Sequence, residues 1–132
     1  MSHFTKVETK IRDLVCLKQA LEDLGFKFTE AKAGVQAVVK GYQGQTTEAE
    51  LVVHASRTYD VGVQVDADGN VGFVSDWWGV ETTRGITEKD FVSQVTARYS
   101  YHKVIKEIKE RGYAYTEEKE DDRIHIKVTS WQ

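Results

Sequence analysis

The feature that most constrains the fold is a strict alternation of apolar and polar residues just before a tight-turn signal. Across residues 59–66, a tyrosine and three valines alternate with aspartate, glycine and glutamine. This period is typical of a strand with one buried face. Asp68-Gly69, which follows, favours a hairpin turn. We therefore expect a hairpin whose return strand covers residues 70–78 and ends in the sequence Asp76-Trp77-Trp78-Gly79.

The other segments predict an α+β fold with one antiparallel sheet and two helices packed on one face. A first helix is expected to start after Asp13, carry leucines at helical spacing and stop at Gly25. A second helix is expected over residues 88–111, with Thr87 as its cap. Residues 79–85 are expected to form a linker. The predicted strands cover residues 3–11, 26–30, 35–42, 49–55, 59–66, 70–78, 113–118 and 123–130.

A weak internal repeat adds to this fold prediction. Residues 21–28 resemble residues 108–115, since each segment ends a helix at glycine and enters a strand with alternating aromatics. The match indicates two β-α-β-β units with an inserted hairpin, and convergent helix-to-strand chemistry would explain it equally well. The apolar stripe of the second helix shifts midway, so we expect a bend or break near Ser100, or a helix curling around the sheet. A single domain is predicted over residues 1–132.

Composition excludes several function classes. The chain has 132 residues, 40% of them hydrophobic, and a net charge of -3, so it gives no reason to expect nucleic-acid or membrane-surface binding. Its apolar runs are too short for a transmembrane helix, and no signal-peptide core is expected at the N-terminus. The single cysteine, Cys16, excludes an internal disulfide and fits a reducing compartment.

The adjacent tryptophans predict a contact surface. Neighbouring residues on a strand point to opposite faces, so parity places Trp77 in the core beside Phe73 and Trp78 on the open face. Aromatic residues on a polar face are typical of partner-binding surfaces. The alternative is that a helix, the tail or a homodimer covers this face. The predicted surface consists of Trp78, Asp76, Tyr42, His54, His125 and Trp131.

Known chemical motifs are not matched. Residues 66–70 resemble the opening of a calcium loop, but glycine is at the fourth position instead of the sixth. The histidines lack paired ligand spacing, so we expect no metal and no cofactor. The alternative is a metal bound by His54 and His125 across the sheet face, although a zinc site normally needs three or four ligands. Cys16 is expected to be a buried structural thiol. The alternatives are a nucleophile paired with His102 or a redox sensor, and the latter requires reactivity in the native state.

Several motifs along the chain resemble those of one known family. They are Met1-Ser2-His3-Phe4, Ile11-Arg12-Asp13, Leu21-Glu22-Asp23-Leu24-Gly25, Gly41-Tyr42-Gln43-Gly44-Gln45-Thr46, Tyr59-Asp60-Val61-Gly62, Asp76-Trp77-Trp78-Gly79 and Arg98-Tyr99-Ser100-Tyr101-His102-Lys103-Val104. The resemblance is to the conserved hypothetical chloroplast reading frame thirty-five family, small proteins of cyanobacteria and algal plastid genomes that are catalogued as a domain of unknown function. It implies a protein of the cyanobacterial cytoplasm or the plastid stroma, and it brings no reaction and no catalytic residues. Genes for cyanobacterial relatives often lie beside genes for a small ferredoxin-type protein, which implies a redox-linked partner.

Two function classes follow from these observations. We favour a non-enzymatic accessory protein of photosynthetic cells that binds or assembles another protein, with a ferredoxin-type iron–sulfur protein as the implied partner. The alternative is an enzyme or small-ligand carrier with a pocket between the second helix and the sheet. If this pocket is absent, its aromatic residues instead fill the core at the point where the second helix bends. The candidate pocket residues are Arg98, Tyr99, Tyr101 and His102.

Overall fold

The computed structural model describes residues 3–32 and 35–130. Over these residues helices and antiparallel strands are both present, so the α+β class is confirmed. The helices are α1 (Leu14–Asp23), α2 (Trp77–Arg84) and α3 (Glu88–Glu110). The strands are β1 (Thr5–Glu8), β2 (Lys27–Glu30), β3 (Ala37–Lys40), β4 (Thr46–Ala49), β5 (Leu51–His54), β6 (Val61–Val65), β7 (Val71–Ser75), β8 (Ala114–Glu120) and β9 (Arg123–Ser130).

The predicted hairpin is the centre of a five-stranded antiparallel sheet with the order β1-β7-β6-β5-β2. Strands β6 and β7 pair from Val61 opposite Ser75 to Val65 opposite Val71. In the turn between them, Asp66 Oδ1 accepts hydrogen bonds from two backbone N–H groups at 2.9 Å. The calcium-like sequence is therefore a hairpin turn, as its spacing indicated.

Both predicted ends of α1 and the predicted start of α3 are confirmed. Asp13 Oδ1 accepts from the Cys16 amide at 3.1 Å and starts α1, and Gly25, with φ of 80°, follows its last turn. Thr87 Oγ1 accepts from the Asp90 amide at 3.1 Å and starts α3. The apolar side chains of α1 and α3 then determine which face of each helix is buried in the core.

The main core lies on one face of the five-stranded sheet. Valines of β5, β6 and β7 meet apolar side chains of the three helices there. Phe91 of α3 is at its centre, with ring centroids 5.4 Å from Phe26, 5.3 Å from Phe73 and 5.8 Å from Trp77. Aromatic contacts at these distances stabilise a core beyond the area that they bury.

The opposite face of this sheet is covered in its middle, so the prediction of an open face is wrong there. Strands β3 and β4 form a separate hairpin that packs on it, and Val39, Ala49 and Val52 are buried together. Gly62 makes this close packing possible, because a Cβ atom there would lie 2.7 Å from Val39 and 2.8 Å from Val74. The sequence predicts a strand over residues 35–42, which contains β3. It gives no signal that β3 and β4 form a second layer on the main sheet.

The strand ending at Trp78 is a second correction. Strand β7 stops at Ser75, and Trp77 and Trp78 begin α2, which occupies most of the predicted linker. The parity argument for the two tryptophans is therefore wrong. On a helix, adjacent residues are about 100° apart, so they too can face different surroundings.

The chain divides into two compact units, Met1–Tyr99 and Ser100–Gln132. Helix α3 is continuous through the boundary, so a break near Ser100 is not observed. The shift of the apolar stripe coincides with this boundary: Phe91 and Val95 belong to the core of the first unit, and Ile105 and Ile108 are buried in the second.

The last two strands form their own sheet. Strands β8 and β9 pair with each other as a separate two-stranded hairpin, so the prediction that they extend the main sheet is wrong. The two predicted β-α-β-β units therefore do not share one sheet. The single domain over residues 1–132 stays a prediction.

Candidate functional site

The sequence Asp76-Trp77-Trp78-Gly79 forms the first turn of α2. Asp76 is 1% exposed, and its Oδ1 accepts from the Gly79 amide at 3.2 Å. This bond satisfies one of the free N–H groups at the helix start, so Asp76 is an N-cap. Asp76 thus positions the two tryptophans and is not itself part of the surface.

The two tryptophans have different environments. Trp77 is 8% exposed and lies in the main core, whereas Trp78 is 54% exposed. The ring of Tyr42, from the short turn between β3 and β4, meets the Trp78 ring edge-on with centroids 6.3 Å apart. We call Trp78 and Tyr42 the aromatic pair. The structure therefore brings together two of the predicted surface residues.

Gly79, the residue after Trp78, allows α2 to pack closely against the core. A Cβ atom on Gly79 would lie 1.9 Å from the ring of Tyr59, so only glycine lets that ring pack on the first turn of α2. Burial, the carboxylate of Asp76 and the nearby Tyr42, in that order, raise the pKa of the Tyr59 phenol. Tyr59 is therefore neutral at physiological pH, and its ring packs against the first turn of the helix that carries Trp78.

A groove with a volume of about 1030 Å³ adjoins Trp78. Its walls come from β1, α2 and the first half of α3, all in the first unit. The lining residues are Val7, Trp77, Trp78, Glu81, Thr87, Glu88, Lys89, Val92, Ser93, Thr96 and Ala97. Sequence reasoning missed this groove, since its residues lie on separate elements and share no motif. One signal for the groove was present in the sequence: Val92 and Thr96 lie at the edge of the apolar face of α3, beside the core residue Phe91.

His54 is part of a hydrogen-bonded chain. Its Nδ1 lies 3.1 Å from Asp60 Oδ1, and its Nε2 lies 2.7 Å from Thr29 Oγ1. Asp60 is 1% exposed, and its other oxygen accepts from the Lys40 amide at 2.8 Å. The order carboxylate–imidazole–hydroxyl is that of a nucleophilic triad. However, none of the three side chains lines the groove, and the buried carboxylate ties β3 to the main sheet.

The other predicted site residues are distributed over both units. His125 lies on β9 in the second unit, with Nε2 3.6 Å from Glu120 Oε2, and Trp131 lies outside the described residues. Arg98 Nε donates to Asp23 Oδ2 at 3.1 Å.

The remaining predicted pocket residues are also held by neighbours. Tyr99 Oη accepts from the amides of Arg12 and Asp13 at 3.2 and 3.1 Å. Tyr101 contacts the ring of His102 and hydrogen-bonds to Glu117, all within the second unit. The pocket predicted from Arg98, Tyr99, Tyr101 and His102 stays a prediction, and the groove beside the same helix is lined by other residues.

Other chemistry is limited in the described part of the chain. No group of three or more His, Cys, Asp or Glu residues there could hold a metal ion. Cys16 is fully buried, as expected for a structural thiol. Among the described helices, none is long and apolar enough to cross a bilayer. The site can therefore be described as an aromatic pair beside an apolar groove.

Comparison with known proteins gives a family. The family model described as "Protein of unknown function (DUF1257)" matches residues 20–129. The chain is 31% identical to "Uncharacterized protein ycf35" of Guillardia theta, over 100% of this chain and 99% of the relative. It is 26% identical to the protein of the same name from Pyropia yezoensis, over 99% and 98% of the two chains. No solved structure matches it significantly. The chain therefore belongs to the DUF1257 family, which is the family that its motifs resemble.

Proposed function

We propose that this protein is a protein-binding or assembly module and that the aromatic pair, Trp78 and Tyr42, is the centre of its contact surface. The observation that carries the proposal is a tryptophan 54% exposed in the first turn of a well-anchored helix. Tryptophan and tyrosine dominate the binding energy of many protein interfaces. Burying the exposed part of Trp78 against a partner would remove apolar area from water.

The surroundings of Trp78 support this proposal because they fix the helix turn that carries it before binding. Asp76 caps the helix, Trp77 fixes it in the core, and Tyr59 packs on Gly79. A contact residue on a backbone that is already ordered costs less conformational entropy on association. The same number of aromatic atoms on a mobile loop would bind more weakly.

The identity of the partner is a finer proposal. We take it to be an iron–sulfur electron carrier of the ferredoxin type, on the basis of the family resemblance described above. The site of action is then the cytoplasm of a cyanobacterium or the plastid stroma. In support, the relatives from Guillardia theta and Pyropia yezoensis carry a chloroplast-reading-frame name. A direct binding titration with purified ferredoxin tests this proposal, and the absence of binding at about 100 μM ferredoxin would refute it.

Affinity capture from a photosynthetic host tests the proposed surface. The bait would be the full chain, as wild type, Trp78→Ala and Val15→Ala. Val15 is the matched control because it is also apolar and exposed, at 59%, but lies on α1. We expect one or more proteins to be captured by wild type and Val15→Ala and lost with Trp78→Ala. Equal capture by all three baits would contradict the assignment.

The groove favours a second candidate function, small-ligand binding. Its size is at the upper end of typical ligand sites, and its walls are largely apolar. Among the described residues, Trp77 Nε1 is a buried polar atom without a hydrogen-bond partner, and it could donate to a ligand oxygen. A thermal-shift screen with nucleotides, quinones and photosynthetic metabolites separates the two functions. A reproducible shift that is lost in Val92→Trp would favour the ligand site.

A further inference from the structure

We infer that this protein forms a homodimer in which strand β1 pairs, antiparallel, with β1 of a second copy. This inference goes beyond the proposed function and does not depend on it. It rests on three observations from the first unit: the free edge of the main sheet, the order of charges along that edge, and the apolar groove next to it.

Strand β1 is at one end of the order β1-β7-β6-β5-β2, so within residues 3–32 and 35–130 one side of it has no neighbour in the sheet. The Thr9 amide donates to the Val71 carbonyl at 3.0 Å, which sets the alternation along β1. Thr5 and Val7 therefore direct their backbone groups toward β7. The N–H and C=O groups of Lys6 and Glu8 point away from the sheet, where another strand can pair with them.

Charge selects the register of such a pairing. Hydrogen-bonded pairs need outward-facing groups on both strands, so Lys6 and Glu8 must pair with Lys6 or Glu8 of the second copy. With a two-fold axis at Val7, Lys6 lies opposite Glu8 of the second copy and Glu8 lies opposite its Lys6. Opposite charges at directly paired positions are stabilising, and the other registers place like charges together. Charged edges normally prevent association, but this edge is complementary to itself.

The groove supplies the apolar area that a short strand pair lacks. Specific, stable protein interfaces bury about 1,200–2,000 Å² in total, more than a pair of short strands provides. Val7, at the centre of β1, also lines the groove together with Trp77 and Val92. A two-fold axis at Val7 brings the grooves of both copies together, so that their apolar walls can cover each other.

Sedimentation velocity and light scattering on the purified full chain test the inference. Wild type should show a mass near twice the 15.0 kDa of one chain. Lys6→Glu and Glu8→Lys should each raise the dimer dissociation constant about tenfold or more, because both cross-strand pairs become repulsive. An equimolar mixture of the two variants should recover the dimer, since every pair is then attractive again. The double variant should also recover it.

The contradicting outcomes are equally specific. A wild-type chain that stays monomeric at about 100 μM overturns the inference. A dimer that neither charge reversal weakens, or that the mixture fails to recover, overturns the pairing of β1. Circular dichroism of each variant reports whether the fold is intact, which matters because the Lys6 side chain packs over Gly72. The Glu8 side chain is 73% exposed, but its Oε1 lies 4.0 Å from Lys6 Nζ, so Glu8→Lys also removes an ion pair within β1 and needs the same check.

Discussion

At the scale of single residues, replacing each of the two adjacent tryptophans should lower stability by very different amounts. Trp77→Ala removes a buried ring that packs on Phe91, and we expect it to lower the free energy of unfolding by about 3–5 kcal/mol. Trp78→Ala removes a half-exposed ring and its contact with Tyr42, so we expect a loss of about 1 kcal/mol or less. Urea unfolding of both variants measures this difference. Equal losses would show that Trp78 is a core residue.

Asp60 provides a second prediction at this scale. Asp60→Ala leaves the Lys40 amide without its carboxylate acceptor and removes the contact with His54, so we expect a loss of about 1–3 kcal/mol. His54→Ala is the control. Its side chain is 39% exposed, and the carboxylate keeps its bond to the Lys40 amide, so the loss should be smaller. If His54→Ala were the more destabilising variant, Asp60 would not be the tie between β3 and the sheet.

At the scale of elements, Gly62 tests whether the β3–β4 hairpin covers the main sheet. Gly62→Ala forces a Cβ atom against the branched side chains of Val39 and Val74, and we expect a loss of about 1–3 kcal/mol. Gly72→Ala on β7 is the matched control, because the nearest atom there is the flexible end of Lys6, which can move. Chemical denaturation compares the two. Similar stabilities would indicate that the hairpin does not pack on this face.

The elements also show how far local sequence signals reach. Caps at Asp13 and Thr87 and the turn at residues 66–70 were predicted, because each depends on neighbours in sequence. Helix α2 was missed although Asp76 and Gly85 are ordinary start and stop signals, with Gly85 at φ of 80°. The alternation through residues 70–78 masked them.

At the scale of the whole molecule, the second unit should open more easily than the first. In Ser100–Gln132 the buried apolar residues of the described chain are Ile105 and Ile108, whereas every residue of β7 is buried. Local opening costs less free energy where fewer apolar groups are buried. Native-state hydrogen exchange should therefore give smaller opening free energies for β8 and β9 than for β6 and β7. Equal protection would mean that the units open together.

The whole-molecule arrangement was the hardest to predict. Strand β9 alternates apolar and polar residues as β6 does, and periodicity identifies a strand without identifying its neighbour. The candidate site was likewise predicted only in part. Exposure of Trp78 and its proximity to Tyr42 were predicted, but from an incorrect strand. The groove was missed, since β1 lies far in sequence from α2 and α3 and the three elements share no motif.

The central claim is that Trp78 anchors a protein partner, and the dissociation constant of the captured partner tests it most directly. The partner would be titrated against wild type, Trp78→Ala and Val15→Ala, each shown to be folded. We predict that Trp78→Ala weakens binding by about thirtyfold or more, as expected for an interface hot spot. Val15→Ala should leave the constant within about twofold of wild type. An unchanged constant for Trp78→Ala would contradict the claim.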